Sequence, residues 1–169
     1  MKNCKTCNAK DCLCNELELE FTHDILDKMY TLICVLNEVA LHLKKGYNES
    51  IYQKAICYEL TQHNIHHTSE EVLPIKYKEA FVGSERADII CDRNWLDIII
   101  ELKATSSDIK DEHLLQVLRY MKNKEYNFGL FVNFNQIIGK ELCYKFVILE
   151  GDKAYSYCNG KAKIINDNY

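Results

Sequence analysis

Three charged residues in the middle of the chain stand where charge is expensive. Asp88 lies near the end of FVGSERADII (81–90), and Glu101 and Lys103 flank Leu102 at the end of WLDIIIELK (95–103). Side chains alternate along a strand, so Glu101 and Lys103 share one face and Leu102 takes the other. With a hairpin connection at DRN (92–94), Asp88 falls roughly across from residues 99–101. Two carboxylates and one ammonium then gather on a single face. Ile89, Ile90, Ile98, Ile99 and Ile100 mark both segments as central strands, where a charge is costly unless it is paired or holds a metal. Two convergent carboxylates offer hard oxygen ligands suited to Mg²⁺ or Mn²⁺. Such an ion polarises a phosphodiester and acidifies water. Lys103 would orient that water or offset charge developing on phosphoryl oxygens. A salt-bridged strand end is the plainer reading of the triplet, and the run of isoleucines before it weighs against that reading.

The segment after these strands adds two polar groups. Gln116 and Tyr120 are four residues apart and share a helix face, distinct from the face of Leu114, Leu115, Leu118 and Met121. An exposed polar stripe would read the same way. Glu49 opens an earlier helix with Tyr52 one turn on, a position equally explained as an acidic partner of the helix dipole.

The elements that must position these groups follow from periodicity. Thr22 can cap a helix in which Ile25, Leu26, Met29, Leu32, Ile33, Leu36, Val39 and Leu43 keep the helical period, with Phe21 and Leu26 as a hydrophobic staple and Gly46 ending the run. Asn48 can cap a second helix over roughly 49–63, with Tyr52, Ala55, Ile56 and Leu60 on one face. Segments 72–78, 81–90 and 95–103 are rich in β-branched and aromatic residues and read as strands. A helix over about 109–124 and strands at 128–134 and 143–150 follow. The order α-α-β-β-β-α-β-β makes the last helix a crossover between strands of a mixed sheet.

Four blocks in this order resemble a known family. GYNESIY (46–52), RADI (86–89), IELKA (100–104) and QVLRYM (116–121) are similar to the motifs of the GxxExxY family, small proteins within the PD-(D/E)XK nuclease superfamily, over about residues 36–134. The resemblance implies an α/β, restriction-endonuclease-like core of αβββαβ order: a mixed β-sheet flanked by helices. It implies that Asp88 and Glu101 bind Mg²⁺ or Mn²⁺, that Lys103 is the catalytic lysine, that Glu49 points toward the centre, and that Gln116 and Tyr120 flank it. It implies nuclease chemistry on DNA or RNA without naming a target. A catalytically idle module that keeps the scaffold to bind nucleic acid or a protein partner is the alternative.

The tail at 1–15 is not part of that pattern. Cys4, Cys7, Cys12 and Cys14 are spaced C-x₂-C-x₄-C-x-C. They could hold one tetrahedral Zn²⁺, with an iron–sulfur cluster a more remote option, or remain reduced thiols on a polar tail. A metal- or redox-responsive role for this tail is a third class of function. Residues 16–169 read as one domain. The remaining five of nine cysteines are scattered through apparent helices and strands, as in a reducing compartment. With no secretory signal and no apolar run near the roughly 18–20 residues of a membrane span, an intracellular protein is expected. A net charge of −4 excludes bulk electrostatic coating of nucleic acid, but not a local basic rim. Lys76, Lys78, Arg86, Lys110, Arg119 and Lys122 are candidates for that rim. His63, His66 and His67 read as a solvated loop more readily than a metal site, and His113 as a surface residue near a helix start. Tyr155, Tyr157 and Tyr169 look exposed, and the oligomeric state is left open.

Overall fold

The computed structural model describes residues 21–92, 94–158 and 161–166; the cysteines at 4, 7, 12 and 14, and Tyr169, lie outside them. Helices α1 (His23–Leu43) and α2 (Glu49–Gln62) precede strands β1 (His67–Tyr77), β2 (Ala80–Cys91) and β3 (Ile98–Lys103). Helix α3 (Asp111–Lys124) leads to β4 (Phe128–Asn133), β5 (Cys143–Glu150), β6 (Lys153–Cys158) and β7 (Lys161–Asn166). The expected order holds as far as β5, and two strands follow it. The described strands form one sheet in sequence order. Only β3 and β4 pair in parallel among them, because α3 carries the chain from one end of the sheet back to the other.

Helix α1 starts where Thr22 accepts the Ile25 N–H at 3.4 Å, and Phe21 before it meets the Phe128 ring at 6.2 Å. Met29, Leu32, Val35, Leu36 and Val39 are buried, the stripe that its period requires. Asn48 occupies the N-cap of α2, but its side-chain oxygen takes the Ser50 hydroxyl at 2.9 Å rather than a backbone N–H. Both helices cover one face of the sheet, packing on Ile98, Ile100, Leu102, Leu130, Val132, Phe146 and Ile148. Helix α3 covers the other through Leu114, Val117, Leu118, Tyr120 and Met121. Leu115, expected on that face, is instead 36% exposed, one residue off the stripe, whereas Tyr120, expected on a distinct face, is buried within it.

The β1–β2 hairpin begins earlier than the residue types suggest, at His67, and β3 begins later, at Ile98 rather than Trp95. Tyr157 is buried against Phe146 and its neighbours, and Tyr155 is half-buried, because β6 extends the sheet beyond β5 and turns these rings onto the core. The exposed aromatic stretch expected there is not seen for these two residues. No described helix is long and apolar enough to cross a membrane.

Helix α3 rests directly on β4 at Gly129. A Cβ there would collide with Val117 Cγ1 and lie 2.7 Å from Met121 Sδ. Val117 is β-branched and cannot retract as methionine can. Gly129→Ala is therefore expected to lower stability by about 1–3 kcal/mol in urea unfolding, as overpacking does.

Candidate functional site

The site forms where the ladder between β2 and β3 gives out. Pairing runs Cys91–Ile98, Ile90–Ile99, Ile89–Ile100 and stops. One residue on, the Asp88 side chain replaces a backbone acceptor: its Oδ2 takes the Leu102 N–H at 2.7 Å. The two strands splay beyond this point, and Glu101 and Lys103 emerge on the α3 side of β3.

Glu101 is 2% exposed. Its Oε1 accepts from Gln116 Nε2 at 2.8 Å and from Lys103 Nζ at 3.3 Å. Its Oε2 is buried with no hydrogen-bond partner among the described residues. Gln116 also donates to the Tyr120 hydroxyl at 2.8 Å. Lys103 Nζ donates to the Leu102 carbonyl at 2.8 Å and reaches Glu49 Oε1 at 3.4 Å. The sequence candidates are thus brought together. Tyr120, Gln116, Glu101, Lys103 and Glu49 form one chain of contacts, and Asp88 joins it through Leu102.

The GxxExxY spacing has a physical reading in the turn before α2. Gly46 has a φ of 101° that suits glycine alone, and its N–H donates to Gln136 Oε1 at 2.7 Å. The chain turns there so that Glu49, at the N-terminus of α2, faces Lys103. Tyr52 is not at the centre. Its hydroxyl donates to the Lys44 carbonyl at 2.7 Å and its ring stacks on Phe134 at 4.3 Å, which fastens the turn to the sheet.

Electrostatics at this point favour protons or cations. Burial pushes the Glu101 carboxyl up to about 8, and the Asp88 charge adds to this; Lys103 only partly offsets it. Burial likewise raises the Asp88 carboxyl, moderated by the Leu102 N–H and Lys103 and aggravated by Glu49 and Glu70. For Lys103, burial opposes the charge, but Glu101, Glu49 and Asp88 outweigh it and its pKa rises. Burial also raises the Tyr120 hydroxyl, which stays protonated at neutral pH.

Four polar residues at the site gave no clear signal in the sequence. Gln53 is buried in α2, and its Nε2 donates both to the Asp88 carbonyl at 2.8 Å and to Glu70 Oε1 at 2.7 Å. The four-residue step from Glu49 is the signal that would have found it. Glu70 sits in β1 with a φ of 59° and drops out of the ladder opposite Asp88, between Ser69–Ile89 and Glu71–Ala87. Strained backbone of this kind clusters at functional sites. Asn133, buried at the end of β4, clasps the loop after Lys103: it accepts from Thr105 N and donates to the carbonyls of Thr105 and Ser107. Gln136 ties Gly46 to the Phe134 carbonyl.

The other candidates fall elsewhere. His113 is mostly covered rather than on the surface, with its ring parallel to Phe131 at 4.9 Å. Its Nδ1 accepts the Lys110 N–H at 3.1 Å. Burial lowers its pKa, so it is neutral at pH 7. His66 pairs with Asp92 at 2.6 Å and His67 bonds the Ile65 carbonyl at 2.9 Å. Arg86 pairs with Glu70 at 2.6 Å, Lys110 with Glu112 at 3.5 Å, and Arg119 with Glu85 at 2.9 Å.

The donor set can be tested against a divalent cation. Among the described residues no three His, Cys, Asp or Glu side chains converge as a ready-made metal cage. Mg²⁺ and Mn²⁺ do not require one, since one or two carboxylates, water and substrate oxygens complete the shell. Asp88 and Glu101 fit that pattern. They are hard oxygen donors, one of whose atoms is buried without a partner, and their mutual repulsion is what a dication relieves.

In the metal-free protein the buried Glu101 sets a pH dependence. Its carboxyl titrates near 4.5 when unfolded and near 8 when folded. Below the lower value both states hold the proton and nothing is lost. As pH rises from there to the upper value, only the unfolded state releases it, so stability falls across that window. Melting temperatures measured in EDTA should decline for the wild type between these values and stay flatter for Glu101→Gln, which keeps the Oε1 contact without a charge.

A sequence profile of the PD-(D/E)XK nuclease superfamily matches residues 26–145, well over half of the chain, from α1 into β5. Comparison with curated proteins and with solved structures gave no match. The matched span includes every residue of the contact chain from Glu49 to Tyr120, on a mixed sheet flanked by helices that is restriction-endonuclease-like. The chain belongs to the PD-(D/E)XK nuclease superfamily.

Proposed function

We propose that this chain is a divalent-metal-dependent nuclease that hydrolyses phosphodiester bonds of DNA or RNA, and that its four sequence blocks place it in the GxxExxY group of the superfamily. The observation that carries the reading is Glu101: a buried carboxylate with one oxygen unpartnered, beside a second carboxylate and a lysine. Most buried side-chain oxygens in folded proteins have a partner, so this one, set between a second carboxylate and a lysine, is where a cation would be received.

Asp88 and Glu101 would hold Mg²⁺ or Mn²⁺. When bound, the ion supplies Lewis acidity toward the scissile phosphate and makes water more acidic. Asp88 keeps one oxygen on Leu102 N–H, which fixes the other in direction. Gln116 fixes Glu101 by its Oε1 and is itself set by Tyr120. Lys103, held cationic by three carboxylates, would orient the attacking water and offset charge on the phosphoryl oxygens. Glu49 holds the Lys103 ammonium from the α2 side. Preorganisation of this kind lowers the barrier because the dipoles need not reorient during reaction.

Cleavage of labelled single- and double-stranded DNA and RNA should depend on added Mg²⁺ or Mn²⁺ and stop in EDTA. Glu101→Ala and Lys103→Ala should each lower the rate at least ~100-fold, the scale for losing a charge-stabilising group. Equal activity in both variants would sink the assigned centre. Metal-independent binding of nucleic acid or a protein without cleavage would favour the idle scaffold. Separately, Mn²⁺ should raise the melting temperature of the wild type at pH 8 and leave that of Asp88→Ala unmoved.

A further inference from the structure

We propose that Gln53 and Glu70 are positioning residues for the cation at the centre: together they form a latch that fixes the main chain of Asp88 and so aims its carboxyl. The role in metal binding rests on the reading of Asp88 as a ligand; the latch itself does not.

The residue with the most exacting task is the one that the sheet holds least. Toward β3, pairing of β2 ends at Ile89–Ile100, one residue short of Asp88. Toward β1 the ladder runs Ser69–Ile89 and then Glu71–Ala87, so Asp88 and Glu70 stand opposite each other without pairing. Glu70 has a φ of 59°, outside the extended conformation that a ladder needs. A side chain from α2 makes good the loss. Gln53 Nε2 donates to the Asp88 carbonyl at 2.8 Å and to Glu70 Oε1 at 2.7 Å. Glu70 Oε2 in turn accepts from Arg86 Nε at 2.6 Å. Arg86 precedes Asp88 by two residues on β2, so a closed ring of contacts runs from Gln53 through Glu70 and Arg86 to Asp88 and back.

Neither residue suits a fold shaped for stability alone. Gln53 is only 7% exposed and lies in the buried stripe of α2 with Tyr52, Ile56 and Leu60, where an apolar side chain would pack as well. A buried amide is unfavourable unless it is hydrogen-bonded. A glutamate at positive φ is strained where a glycine would be relaxed. Both costs meet at the residue that carries a ligand carboxyl, which points to function rather than packing. Helix α2 thereby acts on the centre twice. Glu49 and Gln53 lie four residues apart on one face. The first reaches Lys103 Nζ at 3.4 Å and the second the Asp88 carbonyl. One helical turn thus sets the offset between the acid and the lysine. Glu70 also acts through its charge: burial raises the Asp88 carboxyl most, and Glu70 adds to a rise that a dication at Asp88 would relieve.

The test uses the full chain, stripped of metal with EDTA and dialysed. Mn²⁺ affinity is read from the electron paramagnetic resonance of free Mn²⁺, well below the melting temperature. Gln53→Met keeps the length of the side chain and removes its donors; Glu70→Gly removes the carboxylate and relieves the positive φ. These two variants should each weaken Mn²⁺ binding about 10- to 100-fold, the scale for losing a group that orients a ligand. Glu70→Gln keeps an acceptor for Gln53 and should stay within about 5-fold of the wild type, the scale of one half-exposed charge. Glu70→Gly should also melt within ~2–4 °C of the wild type, because relieved strain offsets lost contacts. In the metal-free protein the Leu102 N–H, which Asp88 Oδ2 accepts, reports on the latch directly. It should exchange about 3- to 10-fold faster than in the wild type in Gln53→Met and Glu70→Gly, relative to Ile99 N–H, as loss of one hydrogen bond implies. Unchanged Mn²⁺ affinity in those two variants, with binding abolished in Asp88→Ala, overturns the latch and leaves the metal centre intact. Affinity lost only in step with the melting temperature also overturns it and makes both residues structural. A wild type that binds no Mn²⁺ removes the metal reading instead. Leu102 exchange then decides the latch, which stands if exchange quickens in both variants and falls if it does not.

Discussion

A carboxylate buried beside another carboxylate is the constraint around which this structure is organised. Glu101 sits at the end of β3 with its charge penalised both by burial and by Asp88. A buried charge of this kind, only partly offset by Lys103, would be expected to give way to an apolar residue in a fold selected for stability alone. Here the surroundings accommodate it. Gln116 and Lys103 bond the one oxygen, Leu102 N–H occupies Asp88, and Glu49 and Gln53 reach in from α2. Helices on opposite faces of the sheet thus converge on one strand end. That convergence also explains why α2 must begin at residue 49 and not a turn later, and why the chain needs a positive-φ glycine at 46.

Much of this was legible in the residues. Alternation along IELK put Glu101 and Lys103 on one face, and the hairpin count put Asp88 opposite them, because a strand's period is rigid. The four-residue step from Gln116 to Tyr120 was equally secure, and both residues do point at the site. What spacing alone could not give was Glu49. Its place as a lysine partner depends on a turn that Tyr52 closes locally and that Gly46 and Lys45 tie to Gln136 and Asn135, 90 positions away. Order of motifs, read as a family likeness, supplied what local physics did not.

The misses have physical causes too. The two final strands carry mixed lysine, asparagine and tyrosine; β6 is buried by lying beside β5 rather than by its own pattern, and β7 pairs with β6 in turn. Context overrides propensity most easily in strands. His113 looked superficial because it lies in the first turn of a helix, yet that turn folds over Phe131. Glu70 offered nothing to read, since a pair of glutamates in a polar strand start is ordinary. Its significance exists only opposite Asp88.

The parallel contact between β3 and β4 has a temporal consequence. Glu49 and Lys103 are separated by 54 positions, Lys45 and the Asn135 carbonyl by 90. During synthesis, the two carboxylates and the lysine emerge well before Asn133, whose clasp secures the loop after Lys103. Non-local closure of this sort raises contact order and slows folding. A nascent chain that ends before β4 therefore carries the charged residues of the centre without the architecture that aligns them. Whatever reactivity the centre has waits on β4 taking its place beside β3.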